Sequence, residues 1–451
     1  FTKESLIMDS SISQNLLDQL EKRFDENPGN RMAMNAAVSC GICASSRNYV
    51  TEREIPHEFS ISLEQGAVTN QKRSGRCWMF AALNCMRFQV IKKQNLEDFE
   101  LSQSYPLFYD KLEKANYFLE SILDTLDEPT DGRLIAHLLA APLNDGGQWD
   151  MLCSIVEKYG LVPKTAMPES VSSSATQEMV SYMTEKLREY ACVLRKGHKA
   201  GKSMEQLKKE KEAMMETVYR MLCISLGKPP RTFTFEYRDK DGNFHREANL
   251  TPKAFYEKYV GLRLDDYVSV INAPTEDKPF YRSYTVQYLG NVKEGRPVKY
   301  VNLPIEEMKQ AAIAQLKDGE PVWFGCDVGK RSFRDGGLMD TGIYDVETLF
   351  DTDFPMTKAE RLEYGQSLMT HAMVFQGVNL DENGRPDRWR VENSWGEEAG
   401  KKGYFVMSDR WFDEYNYQVV VNKKYLSSKA LEAYEKEPVR LNPWDPMGSL
   451  A

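Results

Sequence analysis

At 451 residues the chain is longer than one hydrophobic core usually supports, so two or three structural units with a substantial buried interior are expected. Its 58 basic and 67 acidic residues leave a formal charge of −9, which disfavours nucleic acid or an anionic membrane surface as the principal partner. No run approaches about 18 consecutive apolar residues, and the opening FTKESLIMDSSISQ lacks a basic head followed by an apolar block, so neither a spanning helix nor a signal peptide is expected.

Leu16, Leu17, Leu20 and Phe24 fall at helical spacing and predict helix through 11–40, interrupted at Pro28-Gly29, as an outer element. Residues 52–76 read as mixed and loop-like. After Ser74-Gly75, the residues Trp78, Met79, Ala81, Ala82, Met86 and Val90 describe a mostly apolar helix with Cys77 in or just before its first turn. Helical pattern continues through 100–160, broken at Pro142 and at Asp145-Gly146-Gly147, where paired glycines let another backbone approach. Residues 172–226 read as an inserted helical hairpin turning near 197–201. From 231 to 303 an alternating stretch around an Asp-Gly turn precedes the strand-like runs VSVINAP, SYTVQYL and VKYVNL, read together as a second, β-containing insertion. A helix follows over 304–319, and then PVWFGCDV, HAMVFQGVNL, RWRVENSW and GYFVMS give a β-rich C-terminal unit.

The eight cysteines are scattered without the spacing of a disulfide scaffold and read as reduced thiols of a cytoplasmic protein. Cys40 and Cys43 form a CxxC without a second pair at metal spacing, so no metal site is expected and they are assigned to structure. The basic stretch between Lys186 and Lys211 reads as a solvated helical face. Cys77 stands apart because a helix N-terminus, with Arg76 beside it, favours a thiolate. Taken alone, a cysteine in an apolar helix is more often a packing thiol, so the case rests on its partners.

A nucleophilic thiol needs a base, and the candidates are His57, His137, His198, His245 and His371. His198 and His245 lie in polar turn or hairpin settings, and His57 and His137 have no distinctive context. His371 opens a strand whose return passes through DENGRPD, so the hairpin brings it towards Asn393 and Trp395. Asn393 can then orient the imidazole and Trp395 can shield that bond from water, although an ordinary hairpin with a satisfied histidine fits the same segment. Gln71, six residues before Cys77, can supply an amide to a developing oxyanion together with the Cys77 N–H.

GAVTNQKRSGRCWMFA, the His371 strand and VENSWGEEAGKKGYF together resemble the papain-like cysteine peptidases, in the order Gln, Cys, His, Asn. MTHAMVFQGV, PVWFGCDVGK, NDGGQWDM and the final NPWDPMGSLA are similar, more closely, to the bleomycin hydrolase and aminopeptidase C group, over nearly the whole chain. The resemblance implies an α+β fold with a papain-like core, helical in its left part and β-rich in its right, over 52–171 and 304–426. It further implies a helical insertion at 172–230, hook-like oligomerisation elements at 1–51 and 231–303, and a C-terminal arm, 427–451, reaching into the cleft. By the same resemblance Cys77 is the nucleophile, His371 the general base and acid, Asn393 its orienting partner and Gln71 the oxyanion donor. Gly146 and Gly147 would bind substrate backbone, Met369 would wall the second specificity pocket, Trp395 would line the site, and the Ala451 carboxylate would meet the substrate's α-amino group.

The activity so implied is a cytoplasmic cysteine aminopeptidase acting on peptides with a free N-terminus, without metal or organic cofactor, assembled as a homohexamer and gated by its own C-terminus. Ser74 and Asn144 stand where secreted relatives carry a bonded cysteine pair, which agrees with a reducing compartment. Two rival readings are a nucleic-acid-binding or scaffolding protein with secondary peptidase activity, resting on the basic helical stretch, and an endopeptidase with an unblocked cleft.

Overall fold

The computed structural model describes residues 11–63 and 66–450, and the chain divides into two compact units. The smaller runs to Pro56 and takes in Thr341–Met356; the larger comprises His57–Asp340 and Thr357–Ala451.

In the smaller unit, helices Gln14–Glu26 and Pro28–Cys40 meet at Asn27. The Asn27 side chain accepts from the Gly29 N–H and Pro28 occupies the first helical turn, where its missing N–H costs nothing, so the Pro-Gly pair divides two helices. None of the described residues of these helices is buried, and Met32, Val38 and Tyr49 are 75%, 82% and 70% exposed. Residues 341–356, which the sequence reading places in the catalytic core, belong to this unit instead. The cause is backbone pairing: the Asn48 N–H donates to Ile343 O at 2.9 Å and the Asp345 N–H to Ser46 O at 2.7 Å.

The larger unit is built on one long sheet. Its strands run in the order Val439–Leu441, Arg282–Val286, Tyr300–Asn302, Tyr267–Ile271, Asn416–Asn422, Val322–Cys326, His371–Leu380, Pro386–Glu392, Tyr404–Ser408, Leu338–Met339 and Ser332–Phe333. Alternation along the central strands feeds two cores. Trp323, Ala372 and Val374 enter a cluster with the helices Cys77–Lys93, Ser104–Asp124 and Trp149–Tyr159, whereas Phe324, Met373 and Phe375 pack on the other face, where helix Ile305–Lys317 lies. The helical hairpin is Gln177–Lys199 and Met204–Leu226, with Ser203 and Gln206 forming a capping box at its second helix.

The expected second insertion is shorter than 231–303. Only Phe233–Arg238 and Phe244–Leu250 form a separate two-stranded sheet. Tyr267–Ile271, Arg282–Val286 and Tyr300–Asn302 are strands of the main sheet, the first paired antiparallel with Asn416–Asn422. YVSVI is buried throughout, and a strand with both faces covered needs neighbours that a peripheral hook would not supply. The C-terminal segment adds helix Ser428–Glu435 and the edge strand Val439–Leu441, parallel to Arg282–Val286.

Candidate active site

Cys77 is the first residue of a helix that is apolar nearly all round and buried through its first three turns. Such a helix has no face free to rotate outwards, so the thiol's position is fixed by packing. The Ala372 N–H reaches the Cys77 sulfur, which places the thiol against the start of the strand that His371 opens. Arg76 does not lend its charge to the thiol as expected: it is fully buried and bidentate to Glu169 at 3.0 and 2.8 Å, with its Nε donating to Ser74 Oγ.

The hairpin brings His371 and Asn393 together as its register requires, with Val374 opposite Glu392. His371 Nε2 lies 2.9 Å from Asn393 Oδ1, which also accepts the Ser394 N–H at 2.8 Å. An amide oxygen can only accept, so Nε2 carries the proton and Nδ1 remains as the basic ring nitrogen. The Trp395 ring lies 4.9 Å from the imidazole centroid and covers the pair. Burial pushes the Cys77 thiol up to about 11, against the N–H groups of Ala372, Trp78 and Cys77, and the Asp145 charge adds to the rise. Burial likewise holds His371 down to about 4, against its bond to Asn393. Either charge alone is therefore costly, and the two become affordable when formed together as a thiolate and imidazolium.

Gln71 is held from both ends. Its Oε1 accepts from Ser394 Oγ at 2.6 Å, and its Nε2 donates to Ser74 O at 2.6 Å, leaving a second N–H on the same nitrogen. The Gln71 backbone N–H also donates to Ser394 O at 2.8 Å, so the residue after Asn393 fixes the residue expected to face an oxyanion. Ser394 was not singled out in the sequence. Its signal was present, a hydroxyl between the orienting amide and the shielding indole of VENSW.

The glycine loop is fastened to the thiol loop by charge. Asp145 accepts the Gly75 N–H at 2.9 Å and the Thr176 hydroxyl, pairs with Lys111 at 2.7 Å, and through its carbonyl accepts Trp78 Nε1 at 2.8 Å. Burial opposes ionisation of Asp145, but Lys111 and these donors outweigh it and keep the carboxyl well below the usual range. Lys114, lowered to about 8 by burial against the pull of Asp110, donates to Gly146 O at 2.6 Å. A Cβ on Gly147 would stand 2.5 Å from the Trp78 ring, so this position needs glycine for close packing. These ties join the segments around Ser74 and Asn144.

Met369 is buried, and its carbonyl accepts from Ser449 Oγ at 2.6 Å, while Gln148 Nε2 donates to Ser449 O at 2.8 Å. The arm is anchored further back by Tyr300 OH on Met447 O, by Lys278 on Asp445 at 3.0 Å, and by Arg133 stacked 4.0 Å from the Trp444 ring. Ala451 lies outside the described residues. Of the other histidines, His137 packs edge-on to Trp444, and His198 and His245 pair with Asp127 and Asp239. In the basic stretch, Lys186, Lys202 and Lys211 are paired with Glu189, Glu210 and Glu120.

The sequence pattern of the Peptidase C1-like family matches residues 11–448. The chain belongs to that family. Among relatives of this Peptidase C1-like chain, Aminopeptidase C of Listeria innocua is 50% identical over 444 residues, 98% of this chain and 100% of its own. Bleomycin hydrolase of Mus musculus is 44% identical over 451 residues, covering 98% and 99%. The solved structure of PepW from Lactobacillus rhamnosis HN001 superposes with a TM-score of 0.96 at 52% identity, covering 98% of this chain and all of that one. The papain-like α+β architecture of a cysteine peptidase is thus shared along the length of the chain.

Proposed function

We propose that this Peptidase C1-like chain is a cysteine aminopeptidase that removes residues from peptide N-termini and is gated by its own C-terminal arm. The observation that carries the reading is the Cys77, His371 and Asn393 constellation with Ser449 of the arm bonded to the carbonyl of Met369. The Cys77 thiol passes its proton to His371 Nδ1 and attacks the first peptide carbonyl, forming a carbon–sulfur bond. The oxyanion takes the free Gln71 Nε2 hydrogen and the Cys77 N–H, and His371 returns the proton to the departing amine. Water, deprotonated by His371, then hydrolyses the thioester and restores the thiol.

The arm supplies directionality in this reading. Extended substrate backbone would run along Gly146, Gly147 and Met369, and the arm's bonds to Gln148 and Met369 fill part of that path. An arm lying across that path suits a substrate with a free α-amino group, which the terminal carboxylate of Ala451 would meet. The exposed apolar residues of the N-terminal helices suit subunit contacts in a homohexamer. Eight free cysteines suit a reducing, cytoplasmic setting, and no helix among the described residues is long and apolar enough to cross a membrane.

The test is hydrolysis of an aminoacyl arylamide by the native chain and by Cys77→Ala. The variant is expected to fall to background; retained turnover would overturn the mechanism.

A further inference from the structure

Cleavage leaves two fragments, and the leaving one departs past His371, because that ring gives its amine a proton. The side chain packed on His371 is Trp395, whose ring is 4.9 Å away. Over the same indole lies the Arg334 guanidinium, 4.7 Å from the ring centroid. The guanidinium is therefore within about 10 Å of the imidazole. Arg334 is exposed, and among the described residues its side chain has no carboxylate partner: the guanidinium lies on the indole, and the Gly337 and Gly400 N–H groups donate to its carbonyl. Glu397 and Glu398, although they follow Trp395 closely, form no ion pair with Arg334 among the described residues. A second exposed cation, Lys72, stands on the loop paired through its backbone with Trp395: Asn70 forms an antiparallel bridge to Trp395, and the Lys72 N–H donates to Asn70 Oδ1 at 2.9 Å.

We infer that Arg334, with Lys72 in support, receives the carboxylate of the leaving fragment and makes the enzyme selective for short peptides ending in a free carboxylate within two residues of the cleaved bond. A leaving residue extends about 3.5 Å from the scissile nitrogen. An exposed, stacked arginine covers the remaining distance, and its planar fork suits two-point bonding to a carboxylate. The unpaired charge on the His371 side thus complements the arm on the Met369 side: one end selects the substrate's amine, the other its acid. This inference rests on the aminopeptidase reading and names the substrate class for that site.

The experiment compares KM for leucyl-alanine and for its C-terminal amide, in the full-length chain and in Arg334→Gln, Arg334→Glu and Arg334→Lys, with leucyl-arylamide hydrolysis by the native chain run alongside. The native enzyme should favour the free acid by about five-fold at low salt, as expected for one partly exposed charge pair, and the preference should shrink as salt is added. Arg334→Gln should abolish it, Arg334→Glu should reverse it, and Arg334→Lys should keep part of it, with thermal melting confirming that each variant is folded. Equal discrimination in native enzyme and folded variants, or no preference in the native enzyme, overturns the role of Arg334. Failure of the native chain to hydrolyse the arylamide would instead overturn the aminopeptidase reading itself.

Discussion

Burial acts on Cys77 and His371 in the same direction, towards neutrality, and this makes their cooperation measurable. Ionising alone, the thiol would lose its proton only as pH rises through about 11, and the imidazole would gain one only as pH falls through about 4. Between these values an isolated charge is absent, so reactivity near neutral pH requires the proton to move from sulfur to ring. Iodoacetamide alkylation of Cys77 is therefore expected at neutral pH in the native protein, and in His371→Ala its midpoint should rise by about one pH unit or more. An unchanged profile would separate the two groups. Asn393→Ala should leave the thiol reactive but lower kcat roughly ten- to hundred-fold, since the ring loses the acceptor that aims Nδ1. These residues were named from their joint occurrence in the order Gln, Cys, His, Asn, since each taken alone fits an ordinary packing or loop residue. Ser394, Lys111 and Asp145 were not, because their importance lies in partners on other elements: Ser394 reaches Gln71 and Lys111 reaches Asp145 only after folding.

Between elements, the site depends on how the helix of Cys77 is fixed to the strand that leads into Asn393. The link is a buried network: Glu392 accepts from Arg87 at 3.1 Å, from Asn84 at 2.8 Å and from Gln376 at 2.7 Å, with both ionic partners essentially inaccessible. Arg87→Met would strand a buried carboxylate and should cost about 3–5 kcal/mol in denaturant unfolding, while Arg87→Met with Glu392→Gln should recover much of it. Gly147→Ala should cost about 1–3 kcal/mol and raise KM, because its methyl group would displace the Trp78 ring. Helices were readable from their period, including the interruption at Pro28-Gly29, which the structure resolves as a cap at Asn27. Sheet membership was not. The three- and five-residue buried runs Tyr300–Asn302 and Tyr267–Ile271 show no alternation that names a neighbour, and residues 341–356 carry no mark of the unit they join.

At the scale of the whole molecule, the proposed activity combines an acyl-transfer site with an arm that restricts access to it. The arm is held by a parallel edge strand, by Lys278 on Asp445 and by Arg133 on Trp444 before it reaches Gln148 and Met369. A tail fastened so far back should stay docked without substrate, and removing its last residues should change the direction of cleavage more than its chemistry. The exposed apolar helices of the smaller unit carry the assembly prediction: sedimentation should give a particle six times the 51.8 kDa chain, and charged substitutions at Met32 and Val38 should dissociate it. The central claim is tested most directly by mass spectrometry of one defined peptide digested by the intact chain and by a chain lacking its last four residues. The intact enzyme should release single residues in order from the N-terminus, and the shortened one should cut internal bonds and accept an acetylated peptide. Internal cleavage by the intact enzyme, or an identical product ladder from both, would contradict it.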